Sequence, residues 1–391
     1  MQTKSHRGAR IEVARLSAWL QTEVWPLWLE HGVDWQRGGF HEHLEPSNLR
    51  CAASFRRLRV VTRQVYSFSL AAKRGVPRAR EAVETGIRFL RGQRQPDGGH
   101  PWRYDLDNRP IDDTRDLYDH AFTLLAFVSA FELLGSVDLA ADARATLSFI
   151  LNRLRHPVIG FHESFPHALP RRQNPHMHLL EAVLTGWRAL GEEAYGDLAE
   201  ELVGLFLGRL IQVEEGALPE YFDETLIPFR VSGAFQVEPG HHYEWAWLLE
   251  WYVQICECHG RAWDARIPEV RRRLLAFADT FGVSSRIGLV VSELTSDGGI
   301  KDSRFRLWPQ AERIKCEASR ANSDFLAGKA IAALWKMIDG APTGLWHERL
   351  SSDGTVMAGP VPASSLYHLS CAITEAERTL SIVPNAASDL S

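Results

Sequence analysis

The chain has 391 residues, 45% of them hydrophobic and 24% charged, with a formal net charge of −5. That composition supports a large buried core. Without a Lys/Arg-rich block, it offers no electrostatic footprint for nucleic acid or an anionic membrane surface.

Taken in chain order, the basic start MQTKSHRGAR runs into an amphipathic stretch containing Glu12 and Glu23, not the apolar core of a signal peptide. No apolar run approaches the roughly 18 residues of a membrane span. The stretches SFRRLRVVTRQVYSFSLAAKRG from Ser54 and AREAVETGIRFLRGQ from Ala79 have helical apolar spacing and glycine stops. In the first, Arg63 sits among apolar residues, where a cation is costly unless it is paired or faces a ligand. LYDHAFTLLAF then places Tyr118, Asp119 and His120 at the start of an apolar helix, where capping and core packing account for most of them. NPHMHLLEA brings His176, His178 and Glu181, and PGHHYEWAWLL brings His241, His242 and Glu244. RLWPQAERIKC offers Trp308, Gln310 and Glu312, with Pro309 suited to the first position of a helix. PVPASSLYHLSCAI puts His368 just inside the last apolar helix, and the residues from about 384 read as a disordered tail. Cys51, Cys256, Cys258, Cys316 and Cys371, an odd and scattered set, read as reduced thiols of a cytoplasmic protein. Cys256-x-Cys258 lacks zinc-site spacing and reads as helix packing.

A glycine, an apolar or aromatic residue and a glutamate recur together in GGFHEHL, IGFHESF, GALPEYFD, GLVVSEL and GLWHERL, with DGGHPWRYD as a looser copy. Taking Gly39, Gly99, Gly160, Gly216, Gly288 and Gly344 as markers gives intervals of 60, 61, 56, 72 and 56 residues. Six units of about two helices each fit one domain over 1–391, an (α/α)6 toroid with the turns gathered at its mouth. An open α-solenoid is the alternative. A ring cleft in a chain with 13 tryptophans suits a sugar, because aromatic faces pack on pyranose C–H surfaces.

His178 and Glu181 are three apart and share a helix face, and His241 and Glu244 repeat that spacing one unit later. A histidine beside a carboxylate has its tautomer and orientation set for acid–base work at neutral pH, and Glu244 is the expected orienting partner of His241. Histidine and glutamate on adjacent helices also suit a divalent cation. The order here is the reverse of the Glu-x-x-His of di-metal bundles, so a site with no metal and no other cofactor is the expectation.

Together, NPHMHLLEA, PGHHYEWAWLL, RLWPQAERI and SSLYHL resemble the N-acylglucosamine 2-epimerase superfamily, from the Arg63 helix to the His368 helix, and within it the D-mannose isomerase branch. The resemblance implies an (α/α)6 barrel acting on a monosaccharide without metal or redox cofactor, as a monomer or homodimer, with no nucleic-acid or membrane partner. Carried over, the catalytic set is Arg63, His241, Glu244 and His368. The substrate contacts are Tyr118, Asn174, His178, Glu181, Trp308 and Glu312, with Arg230 before the Pro-Gly-His motif; His176 and His242 are adjacent extras.

The implied reaction interconverts D-mannose and D-fructose. The ring opens, His368 shuttles the C2 proton to C1 through a cis-enediolate, and His241 assists at the sugar oxygens. Arg63 stabilises the oxyanion. A 2-epimerase of cellobiose or N-acylglucosamine type and a sulfoquinovose isomerase remain alternatives. So do a glycoside hydrolase using Asp112, Asp113 or Glu220, and a non-catalytic sugar-binding solenoid.

Overall fold

The computed structural model describes residues 2–320 and 324–380; the expected tail lies outside them. The helices are α1 Gln2–Trp19, α2 Trp25–His31, α3 Leu58–Lys73, α4 Ala79–Gln93, α5 Leu117–Leu134, α6 Val137–Phe149 and α7 Gln173–Leu190. They continue as α8 Glu193–Leu205, α9 Pro239–Cys258, α10 Ile267–Phe281, α11 Leu307–Ala318, α12 Asp324–Ile338 and α13 Ala363–Leu380. From α3 onward the odd-numbered helices pack side by side in an inner ring, and α13 returns to α3. The even-numbered helices from α4 lie outside their inner partners, and α1 fills the sixth outer place against α12 and α13. This is the (α/α)6 barrel.

Several bonds close the ring and exclude the open solenoid. Strand His43–Leu44 pairs antiparallel with Val361–Pro362. The first N–H of α13, from Ala363, donates to the Glu42 carbonyl at 2.9 Å. Trp28 stacks on Trp346 at 5.5 Å, joining the first helical hairpin to the last turn. The same link recurs around the mouth: Leu58, Leu117 and Leu307 each open an inner helix by donating to a carbonyl of the next hairpin, at Trp102, Glu163 and Glu348. The glycine-aromatic-glutamate turns therefore lie over the N-termini of the inner helices.

Burial explains the composition of the two layers. In α4 the apolar residues lie on one face, as expected of an outer helix. In α5 every residue from Leu117 to Ala130 is buried. With a mean hydropathy of 1.3 over 18 residues, α5 does reach the composition of a membrane span, contrary to the sequence reading, yet 72% of it is buried in the protein.

Local boundaries also move. Residues Phe55–Arg57 form a strand paired with Arg103–Asp105, so α3 begins at Leu58. Pro309 is the third residue of α11, not its first. In the looser second repeat it is Gly98, at φ +89°, that takes the left-handed turn. Gly99 is required for space, since a Cβ there would lie 2.5 Å from the Phe149 ring. Cys256 packs in the core, but Cys258 is exposed, and the five cysteines are unpaired.

The fourth residue of four inner helices performs one structural task. His120 and His176 donate from Nδ1 to the carbonyls of Asp116 and Arg172, at 2.7 and 3.0 Å. Their Nε2 atoms accept backbone N–H groups from His100 and Phe161. His242 accepts the Leu218 N–H in the same way, and in α11 the amide of Gln310 replaces imidazole, bonding Val290 and the Arg306 carbonyl. Burial lowers the pKa of His120, His176 and His242 to about 4, so each is neutral and pins a turn to its helix. We expect His176→Ala to cost about 1–3 kcal/mol of stability, since it strands a buried N–H and a buried carbonyl. His176→Gln should recover much of that, with activity little changed in both, as thermal melts and initial rates would show.

Candidate active site

The sixth residues of the six inner helices are Arg63, Phe122, His178, Glu244, Glu312 and His368. Equal positions on six similarly placed helices face the ring axis together. They form a closed circuit. The Arg63 guanidinium lies 4.3 Å above the Phe122 ring; Phe122 meets His178 at 4.5 Å; and His178 Nδ1 is 3.9 Å from Glu244. Donor atoms of Glu244, Glu312 and His368 lie within 4.8 Å of one another. Tyr367, beside His368, returns the circuit to Arg63, whose guanidinium sits 4.9 Å over its ring. One turn nearer the mouth, the second residues include Tyr118, Asn174 and Trp308; one turn below, the ninth include Glu181, Trp247, Lys315 and Cys371.

Three histidines at the ring axis have Nδ1 tied back to a glutamate, His178 to Glu181 at 3.0 Å and the following two, which leaves their Nε2 atoms free. His368 donates from Nδ1 to Glu312 at 2.7 Å. His241 donates from Nδ1 to both oxygens of Glu220, at 2.9 and 3.0 Å. Trp308 stands between them, 4.8 Å from the His241 ring and 5.7 Å from that of His368. Gly240 makes this possible, because a Cβ there would lie 2.4 Å from the Trp308 ring.

Their surroundings push the two imidazoles apart. Burial disfavours charge on His241, but the Glu220 carboxylate outweighs it and raises the pKa to about 9. For His368, burial acts together with the positive charges of Arg63 and Lys315, and its pKa falls well below the ordinary value. At neutral pH this pair therefore comprises one charged and one neutral imidazole, the arrangement of an acid and a base. Glu244 adds a second acid. Neither of its oxygens has a hydrogen-bond partner, and burial with the Glu312 charge raises its pKa to about 8 against the pull of Lys315.

The profile of the N-acylglucosamine 2-epimerase family matches residues 38–372. The chain belongs to that family. It is 35% identical over 385 residues to a mannose-6-phosphate isomerase of Rhizobium meliloti strain 1021, covering 95% of this chain and 98% of the relative. It is 27% identical over 293 residues to a D-mannose isomerase of Thermobifida fusca, covering 64% and 70% of the two chains. The fold matches that of cellobiose 2-epimerase from Spirochaeta thermophila DSM 6192 with a TM-score of 0.83 at 23% identity, over 95% and 97% of the chains.

Within this family member, most residues singled out from the sequence meet at the ring axis, but several partners differ. Glu244 makes no hydrogen bond to His241; the carboxylate that holds this imidazole is Glu220, from the fourth hairpin turn. Glu312, expected to contact substrate, is bonded to His368 and lies 2.6 Å from the Lys315 ammonium. Glu181 accepts from His178 at 3.0 Å and from the Tyr367 hydroxyl. Arg63 bonds the Tyr118 hydroxyl and the Ser364 carbonyl. Asn174 is half-buried at the mouth level.

Arg230 is not brought to the site. Its guanidinium is spent on Glu215 and the Gly233 carbonyl, each at 2.8 Å, on an exposed loop. The hydrolase carboxylates do not assemble either, since Asp113 is 74% exposed and paired with Arg115, Asp112 caps Thr114, and Glu220 faces His241. Phe122, Tyr367 and Lys315 were missed as site residues. Two sets, His178–Glu181–Glu244 and Glu244–Glu312–His368, are where a divalent cation would find its donors.

Proposed function

We propose that the protein is an aldose–ketose isomerase that interconverts D-mannose and D-fructose through a cis-enediolate. The observation that carries this reading is the pairing, across the Trp308 ring, of a neutral His368 held by Glu312 with a charged His241 held by Glu220. Once the ring has opened, His368 Nε2 takes the proton from C2. His241 gives its proton to the C1 carbonyl oxygen with Glu244 hydrogen-bonding alongside, and the proton on His368 then passes to C1 as the C2 hydroxyl returns a proton to His241. Arg63 stabilises charge developing on oxygen, where a preorganised cation contributes most. The relative matched over nearly its whole length carries an isomerase name, which favours this reading. A 2-epimerase is the second reading, favoured by the same charged His241, which would return a proton to the opposite face of C2.

Four arginines flanking the starts of inner helices each already have a carboxylate partner. Arg57 pairs with Glu42, Arg59 with Asp119, Arg172 with Glu163 and Arg306 with Glu238. A phosphate held by any of these four must break a pair to gain one, which favours an uncharged sugar over a sugar phosphate. Initial rates on D-mannose, D-mannose 6-phosphate and cellobiose test this. We expect kcat/KM for D-mannose to exceed that for the phosphate by at least about tenfold, the size of one lost charge contact. Preference for the phosphate, or product from cellobiose alone, would overturn the assignment of substrate.

A further inference from the structure

Lys315 is the one buried lysine among the described residues, and none of its surface is exposed. It lies one helical turn below Glu312 on α11, under the floor of the cavity. Its ammonium is 2.6 Å from Glu312 Oε2, while the other oxygen of Glu312 accepts the His368 Nδ1–H at 2.7 Å. It is also 3.8 Å from Glu244, 3.9 Å from Cys371 Sγ and 3.9 Å above the Trp247 ring. A buried ammonium costs several kcal/mol in lost hydration unless its partners compensate, and methionine would fill the same space without that cost. The partners here are groups of the site.

We propose that Lys315 is a positioning residue that acts through Glu312 to aim His368. It does not touch the cavity, so it takes no proton itself. Glu312 has two jobs, one per oxygen; with Lys315 gone, the carboxylate is free to rotate and His368 loses its fixed Nδ1 partner. The groups facing His368 are Arg63 on α3, His178 and Glu181 on α7, His241 and Glu244 on α9, Glu312 and Lys315 on α11, and Tyr367 on its own helix. Arg63 and Lys315 are the cations among them that are not themselves imidazoles. Removal of Lys315 therefore leaves Arg63 as the main charge opposing protonation of His368.

The test is K315M, read by kcat, KM and the pH dependence of kcat/KM. The expected result is a kcat about 30–100-fold lower with KM within about threefold, and an acid limb about one pH unit higher. A wild-type rate with an unmoved acid limb overturns the proposal. Where K315M does not fold, E312Q is compared with E312Q/K315M. Equal rates support action through Glu312, whereas a further tenfold loss, or a double variant that unfolds while E312Q folds, overturns it. The inference rests on His368 as the proton carrier, and H368A separates the two. An active H368A removes that reading, whereas an inactive H368A with an unshifted acid limb in K315M removes only the role of Lys315.

Discussion

His368→Ala is expected to lower kcat by about 10³–10⁴-fold, because it removes the neutral imidazole proposed as the base, and general-base catalysis contributes about that much. His178, the other neutral imidazole at the ring axis, is bound to Glu181 and lies against Phe122 and Tyr118, so it is not placed to substitute. The fold should survive. His368 is held at Nδ1 by one carboxylate and packs near Trp308 and Tyr367, and its loss leaves a small cavity open to the ring. Steady-state rates with a thermal melt check both parts. Glu312→Gln, which keeps a hydrogen-bond acceptor at the same atom, is expected to lose less.

Glu220→Gln is the second large effect. The His241 imidazolium exists because Glu220 outweighs the penalty of burial, so a neutral amide there lets the pKa fall from about 9 toward or below the ordinary value. The sign follows directly. In the wild type the acid form of His241 is present below about pH 9 and is lost above it, giving an alkaline limb there. In the variant that limb moves down by about two units or more, and at pH 8 kcat/KM falls by about tenfold or more. Rates measured from pH 5 to 10 distinguish this from simple damage, which lowers the profile without moving its limbs. An unmoved alkaline limb with full activity would show that His241 does not act as the acid.

The repeat and the ring were legible because they rest on local signals, a glycine turn and helical apolar spacing recurring at near-equal intervals. The side chains of the site were partly legible for the same reason. His178 and Glu181 are sixth and ninth on one helix, and their i,i+3 spacing brings them into contact. The identical spacing of His241 and Glu244 misled, since His241 is the third residue of α9 and turns to the hairpin above it, where Glu220 lies 21 residues earlier in the chain.

Glu220 had a signal in the sequence, as the glutamate of the fourth repeat. In the first and third repeats that glutamate binds the arginine before the inner helix. In the fourth, Glu238 stands in that arginine's place, and the carboxylate turns to His241. The extra histidines, His176 and His242, separate from the working ones by position in the helix, fourth against sixth or third. That count needs true helix starts, which hidden strands such as Phe55–Arg57 displace. Lys315 was invisible for a different reason: a lysine three residues from a glutamate reads as a solvated surface pair until burial is known.

The most direct test of the central claim is to incubate the chelator-treated protein with D-mannose in deuterated water and follow the products by NMR. Proton transfer through an enediolate on one face predicts D-fructose, with deuterium at C1 only to the extent that His368 exchanges its proton with solvent before returning it, at a rate unaffected by chelation. D-glucose labelled at C2 with little fructose would contradict isomerisation in favour of 2-epimerisation, and activity that disappears on chelation and returns with a divalent cation would contradict catalysis by the histidine pair alone.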